Sequence, residues 1–127
     1  MTTSGHSILI CDDDVAIRSL VKAILSADGH DLRQTATAPD AIAAIDEDPP
    51  ALVLLDINVP GGDGGLSVLH HIRSQSTLSE VGVLMITGIS EARADDWGRS
   101  IGADGHLLKP FQISDLRDAV SGLLSRV

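Results

Sequence analysis

The sequence predicts an α/β fold, a doubly wound parallel sheet of five strands with five helices. Short, unbroken apolar runs alternate with longer segments in which apolar residues recur at helical spacing. Unbroken apolar runs suit strands buried on both faces, and the strand–helix alternation favours a parallel sheet with right-handed crossovers. The 127 residues suit one compact domain, so we expect a single domain over 1–127 without linker or repeat.

Five segments are predicted to form the strands. Four are runs rich in Ile, Leu and Val, and the second is weaker because polar residues interrupt it. The strands are placed at 8–11, 31–35, 51–55, 83–86 and 106–108.

Each strand is followed by a segment with one apolar helical face. After the first strand the apolar residues fall at i, i+3, i+4, i+7 and i+8, which is the pattern of a helix packed on a core. Pro39 opens the second helix, and Gly102 ends the fourth. In order, the inward residues are Ile17, Leu20, Val21, Ile24 and Leu25; Ala41, Ile42 and Ile45; Leu66, Leu69 and Ile72; Ala94, Trp97 and Ile101; and Leu116, Val120, Leu123 and Leu124.

Charge and hydropathy limit the function classes. Eighteen acidic and nine basic residues give a formal net charge of −9, which disfavours binding to nucleic acid phosphates. No apolar run reaches the length of a membrane span, and the first residues lack the features of a signal peptide. We therefore expect a cytoplasmic location without direct contact with nucleic acid or membrane.

Polar residues capable of chemistry follow the predicted strands, at the edge where doubly wound sheets bind ligands. Clustered carboxylates are most easily kept ionised by a cation, and oxygen ligands with room for water suit Mg²⁺. A carboxylate can also attack phosphorus, while a hydroxyl and an ammonium group can hold phosphoryl oxygens. The set therefore suits phosphoryl transfer onto Asp56. Its members are Asp12, Asp13, Asp14, Asp56, Thr87 and Lys109.

The three consecutive aspartates are expected to have different roles. Asp14 is placed to cap the first helix, where Asp is favoured, and Asp12 and Asp13 to carry chemistry. The register of this assignment stays open by one residue.

Four stretches in this order resemble the receiver domain of bacterial response regulators. They run over residues 8–14, 52–61, 85–88 and 102–111, each at a strand end, and the resemblance extends from about residue 7 to about residue 124. It implies a flavodoxin-like sheet with strand order 2-1-3-4-5.

The resemblance also implies a metal site and an acceptor. Asp56 would be the phosphoacceptor and a ligand of Mg²⁺. Asp13 would bind the metal directly, Asp12 would hold metal-bound water, and Asn58 would offer its backbone carbonyl.

Three further residues would contact or report the phosphoryl group. Thr87 would move toward it, and Lys109 would pair with its oxygens. The Lys109–Pro110 peptide bond would be cis. His106 stands where the family usually carries Tyr or Phe, a ring that swings inward. Because histidine titrates near neutral pH, the switch is hypothesised to depend on pH, which equal partner affinity at pH 6 and pH 8 would refute.

A second departure from the family pattern is an extra residue at Gly64-Gly65. We expect it to shift or fray the start of the third helix.

The expected function is a phosphorylation-activated switch in a two-component or phosphorelay system, with at most weak catalysis of its own phosphorylation and hydrolysis. The donor would be a sensor histidine kinase or a histidine phosphotransfer protein. A downstream protein would bind the face formed by the fourth helix, fifth strand and fifth helix, and the chain would be a monomer or a phosphorylation-dependent dimer.

Two alternatives stay open. A binding-only pseudo-receiver would keep the fold and ignore phosphate, although such proteins usually lose one of the residues that are present in this sequence. A phosphatase of the haloacid dehalogenase type also uses a strand-end Asp with Mg²⁺, but it needs an acid two residues later, where this chain has Asn58.

Overall fold

Five parallel strands form one sheet in the computed structural model, which describes residues 5–61, 64–88 and 102–125. The strand order is β2-β1-β3-β4-β5, as expected. The strands are β1 (Ser7–Cys11), β2 (Asp31–Thr35), β3 (Leu52–Asp56), β4 (Gly82–Gly88) and β5 (Gly105–Lys109).

Four α-helices are present among the described residues, together with a short 3₁₀ helix at Ser76–Leu78. They are α1 (Val15–Ala27), α2 (Ala38–Glu47), α3 (Gly65–Ser74) and α4 (Ile113–Leu124). The C-terminal helix α4 corresponds to the fifth predicted helix. The predicted fourth helix, with Ala94, Trp97 and Ile101, lies outside the described residues.

The two faces of the sheet carry separate apolar clusters, because successive strand residues point to opposite sides. Leu9, Val53 and Val83 pack with α2 and α3. Ile8 and Leu54 pack with α1 and α4 on the other face. Helices therefore cover both faces, which explains why the strands are continuous apolar runs rather than alternating ones.

Local capping sets the start of two helices. The Asp14 carboxylate accepts hydrogen bonds from the backbone N–H groups of Ala16 and Ile17, so its predicted role as the cap of α1 is confirmed. Thr37 caps α2 in the same way, through the N–H of Asp40. Neither cap needs a long-range contact.

In the part of the chain that the structure describes, no helix is both long and apolar enough to cross a membrane.

Candidate functional site

Strand pairing brings the ends of β1 and β3 together. Cys11 is registered with Leu55, so the residue that follows each of them lies at the carboxyl end of the sheet. Those residues are Asp12 and Asp56, which are far apart in the sequence but adjacent in the fold. The carboxyl edge is also where doubly wound sheets bind their ligands.

Three carboxylates meet at this edge. One oxygen from each of Asp12, Asp13 and Asp56 lies within 4.8 Å of the other two. Asp12 is 1% exposed and Asp56 5% exposed, whereas Asp13 faces solvent. Buried charged groups need a partner of opposite sign, so the arrangement calls for a cation.

Lys109 supplies one such partner. Its Nζ lies 3.0 Å from Asp12 Oδ2 and 3.0 Å from Asp56 Oδ2, and it thereby bridges the two buried acids. Burial lowers the pKa of Lys109, but the hydrogen bonds to Asp12 and Asp56 and their negative charges outweigh that effect, so its pKa is raised. The lysine is therefore held in its charged form.

One lysine does not neutralise the site. Burial raises the pKa of Asp12, and the charge of Asp56 adds to the increase. The hydrogen bonds from Asp14 and Lys109 oppose this change without cancelling it. A raised pKa means that ionising this carboxyl group is less favourable than in water, and a second cation would offset that difference.

Two tight backbone turns aim the buried carboxylates. Asp12 Oδ1 accepts the N–H of Asp14 at 2.9 Å. Asp56 Oδ1 accepts the N–H of Asn58 at 3.0 Å. In both residues the second oxygen, Oδ2, faces Lys109, so the two acids are fixed in the same manner.

The fourth and fifth strands bring the remaining predicted residues to the same end of the sheet. Thr87 lies in β4 in register with Leu108, one residue before Lys109, and its side chain is outside the described part of the structure. His106 is half-buried on β5 beside Met85. The Lys109–Pro110 peptide bond is cis.

Steric contacts explain why glycines occupy positions 64 and 65 at the start of α3. A Cβ on Gly65 would lie 2.4 Å from the backbone oxygen of Asp56, and Gly64 adopts a positive φ of 68°. The helix therefore begins directly against the backbone that carries the predicted acceptor. Gly65 is the first helical residue, and its N–H donates to the carbonyl of Ile57 at 3.0 Å. The expected shift or fraying of this helix start relative to the family pattern stays a prediction.

Sequence reasoning missed Arg18. Its Nη1 donates to the backbone carbonyl of Asp12 at 2.7 Å. A signal was available, since long side chains on a helix lean toward its N-terminus, and Arg18 lies four residues after the capping Asp14.

Comparison with known proteins agrees with this geometry. The profile of the response regulator receiver domain matches residues 8–121. The chain belongs to this family. The receiver domain of NtrX from Brucella abortus superposes with a TM-score of 0.87 at 36% identity, over 94% of this chain and 99% of that one. The chemotaxis response regulator CheY4 of Vibrio cholerae gives a TM-score of 0.87 at 25% identity, with 94% and 99% covered.

Curated relatives include the transcriptional regulatory protein GltR of Pseudomonas aeruginosa, 35% identical over 99% of this chain and 52% of that protein. Sporulation initiation phosphotransferase F of Bacillus subtilis is 32% identical over 94% of both. The chain spans about half the length of most of the curated relatives that it matches. Several are named as transcriptional regulators, so these names lend no support to the expectation that nucleic acid is not contacted.

Receiver domains are generally not enzymes; they interact with histidine kinases or phosphotransfer proteins and typically bind Mg²⁺ at an acidic pocket. In this chain Asp12, Asp13 and Asp56 form an acidic cluster.

Proposed function

We propose that this receiver domain accepts a phosphoryl group from a phosphohistidine onto Asp56, with Mg²⁺, and thereby changes its affinity for a protein partner. The observation that carries the proposal is that one oxygen from each of three carboxylates lies within 4.8 Å of the other two. Lys109 pairs with two of these carboxylates, those of Asp12 and Asp56. Transfer to a carboxylate requires little more than positioning and charge neutralisation, and these residues supply both.

The donor set fits Mg²⁺. It consists of hard oxygen atoms, with the buried Asp12 and Asp56 on one side and the exposed Asp13 open to water on the other. Mg²⁺ favours one or two carboxylates plus several waters. Asp13 and Asp56 would bind it directly with the backbone carbonyl of Asn58, and Asp12 would hold a metal-bound water. When bound, Mg²⁺ would neutralise charge on the phosphoryl oxygens.

The chemical step belongs to Asp56. A carboxylate oxygen forms a bond to phosphorus, the bond from phosphorus to the donor imidazole nitrogen breaks, and its electron pair stays on that nitrogen, which takes up a proton from solvent. Lys109, now 3.0 Å from Asp56 Oδ2, is placed to pair with a phosphoryl oxygen once that carboxylate has become an acyl phosphate.

The readout would run through β4 and β5. Thr87 and His106 lie on these neighbouring strands, so a hydroxyl that moves toward the phosphoryl group would leave room for the ring to turn inward. We propose that the downstream protein binds the face formed by β5, the C-terminal helix α4 and the predicted fourth helix, of which the last lies outside the described residues. The resulting two-state shift is the usual consequence of a local charge change.

The donor is proposed to be a sensor histidine kinase or a phosphotransfer protein. The relative from Bacillus subtilis that is matched over 94% of its length is named a phosphotransferase, which supports a role in passing phosphoryl groups. Any catalysis by the chain itself would be limited to its own phosphorylation and dephosphorylation.

Intact mass after incubation with acetyl phosphate and Mg²⁺ tests the proposal. We expect one added phosphoryl group on the parent and none on Asp56→Asn or after chelation of the metal. Asp118→Asn, the same charge change on an exposed position of α4, is the matched control and should be phosphorylated like the parent.

Two outcomes would favour the alternatives. If the parent neither gains mass nor binds a fluoroberyllate analogue, the binding-only pseudo-receiver becomes the better description. Rapid turnover of generic phosphate esters would instead indicate a phosphatase.

A further inference from the structure

The backbone of Asp12 is held by groups outside the three carboxylates. All four polar atoms of Asp12 are engaged: its N–H donates to the carbonyl of Thr35 at 3.1 Å, and its two carboxylate oxygens accept from Asp14 and Lys109. The remaining atom, the carbonyl oxygen, accepts from Arg18 Nη1 at 2.7 Å. Of these four partners of Asp12, only Arg18 lies within helix α1.

That carbonyl belongs to the peptide unit that joins Asp12 to Asp13. Because the peptide is planar, fixing its oxygen fixes the direction in which the chain enters Asp13. Among the described residues, the exposed Asp13 carboxylate has no hydrogen bond that would orient it independently. Its place beside Asp12 and Asp56 therefore depends on the backbone, and Arg18 is the side chain that holds the carbonyl of the Asp12–Asp13 peptide.

Electrostatics alone would give Arg18 the opposite effect. Within the described residues it forms no ion pair, so its charge is not neutralised by a dedicated acid. A guanidinium close to a divalent cation repels it, and removing that charge should strengthen binding. Weaker Mg²⁺ binding after removal of Arg18 would therefore indicate a positioning role, whereas stronger binding would indicate that Arg18 acts only through its charge.

We propose that Arg18 is a positioning residue for the divalent cation. Through the Asp12 carbonyl it holds the Asp12–Asp13 peptide so that both carboxylates face Asp56. This inference rests on the proposed metal site, and it adds a residue to that site that does not touch the cation.

The test is isothermal titration calorimetry with Mg²⁺ on the parent chain, Arg18→Met and Lys22→Met. Methionine keeps the apolar stem of the side chain and removes the donor. Lys22→Met is the matched control, because it removes the same charge from an exposed position one turn further along α1. We expect binding by Arg18→Met to weaken about 10-fold, the lower end of the range for groups that orient metal ligands, and the control to match the parent.

Phosphorylation by acetyl phosphate supplies a second readout. A positioning role predicts that Arg18→Met needs more Mg²⁺ for half-maximal phosphorylation, while the rate at saturating Mg²⁺ stays close to that of the parent. A general loss of structure would lower both. Arg18→Lys, which keeps the charge but not the planar fork, should show a smaller loss of affinity, and it carries the test if Arg18→Met does not fold.

Equal or tighter Mg²⁺ binding by the Arg18 variants would overturn the inference and leave the proposed function intact. Absence of Mg²⁺ binding by the parent itself would overturn both.

Discussion

At the scale of single residues, Lys109 has the most demanding position. It lies between two buried carboxylates, and it is the only lysine or arginine that pairs with either of them in the described part of the chain. A buried ion pair contributes little net stability, but removing one member leaves an uncompensated charge behind.

We therefore predict that Lys109→Met lowers the free energy of unfolding by about 1–3 kcal/mol in the presence of a chelator, the cost of an unsatisfied buried group. Saturating Mg²⁺ should reduce this loss, since the metal replaces the missing positive charge. Urea unfolding with chelator and with Mg²⁺ measures both quantities.

Lys22→Met is the control for that experiment and should change stability little, because the residue is exposed. Equal stability of Lys109→Met and the parent with chelator would show that the two acids do not depend on the lysine.

His30, at the opposite end of the sheet, is a titratable residue whose protonation also affects stability. Its Nδ1 accepts the backbone N–H of His6 at 3.1 Å, which requires a neutral ring. Burial lowers the pKa of His30, the nearby His6 lowers it further, and Asp28 acts in the opposite direction.

The sign of the pH effect follows from this lowered pKa. As the pH falls below the ordinary value of 6.5, the unfolded chain binds a proton at His30 before the folded chain does. His30 therefore contributes to a loss of stability between pH 6.5 and its lower folded pKa.

We expect His30→Asn, which retains an acceptor but does not titrate, to lose less stability than the parent between pH 7 and pH 5. Urea unfolding at both pH values measures this difference. His70→Asn, an exposed position of α3, should lose as much as the parent. An identical loss for His30→Asn and the parent would contradict the argument.

At the scale of elements, Arg73 joins α3 to the starts of β4 and β5. Its guanidinium group donates to the carbonyls of Gly102 and Val81, each at 2.8 Å, and to Asp104 Oδ2 at 2.6 Å. The same Asp104 oxygen accepts the N–H of Val83. One side chain thus holds together the end of α3, the start of β4 and the segment before β5.

Gly102 makes this contact possible, and its replacement should be costly. Its φ is +113°, and a Cβ would lie 2.8 Å from Arg73 Cγ. We predict that Gly102→Ala lowers the free energy of unfolding by about 1–3 kcal/mol, from backbone strain and displacement of the arginine.

Gly122→Ala provides the matched comparison. This glycine lies inside α4, and a Cβ there would meet nothing within 4 Å. Alanine should stabilise the protein by about 0.5–1 kcal/mol, because it favours the helix. Thermal or urea unfolding of both variants tests the pair, and changes of the same sign would refute the steric argument.

At the scale of the whole molecule, the net charge of −9 and the crowded acids at the carboxyl end link folding to cations. A ligand that binds only the folded chain raises the free energy of unfolding by RT ln(1 + L/Kd), where L is the free ligand concentration and Kd its dissociation constant.

The proposed Mg²⁺ site therefore predicts a gain of about 1.4 kcal/mol in unfolding free energy at a Mg²⁺ concentration ten times the dissociation constant. Denaturant unfolding with and without Mg²⁺, at matched ionic strength, measures it. The gain should disappear in Asp12→Asn, and a gain of equal size in that variant would show that Mg²⁺ acts elsewhere.

The order of the elements that the structure describes, and most of their bounds, could be predicted from the sequence alone. Apolar periodicity and the caps at Asp14 and Thr37 are local properties, readable within one or two helical turns. The gathering of acids at strand ends was also predictable, because parallel strands that follow one another in a doubly wound sheet all end at the same edge.

Only the tertiary structure decided which atoms meet. Lys109 lies 97 residues from Asp12, on the edge strand β5, and its contact with two acids depends on the full strand order and on how each loop closes. The same holds for Arg73, whose guanidinium group donates to the carbonyl of Gly102, 29 residues away. The contact of Arg18 with the Asp12 carbonyl spans only six residues and is local by comparison. The long-range contacts join groups from distant segments of the chain, and no periodicity in the sequence records them.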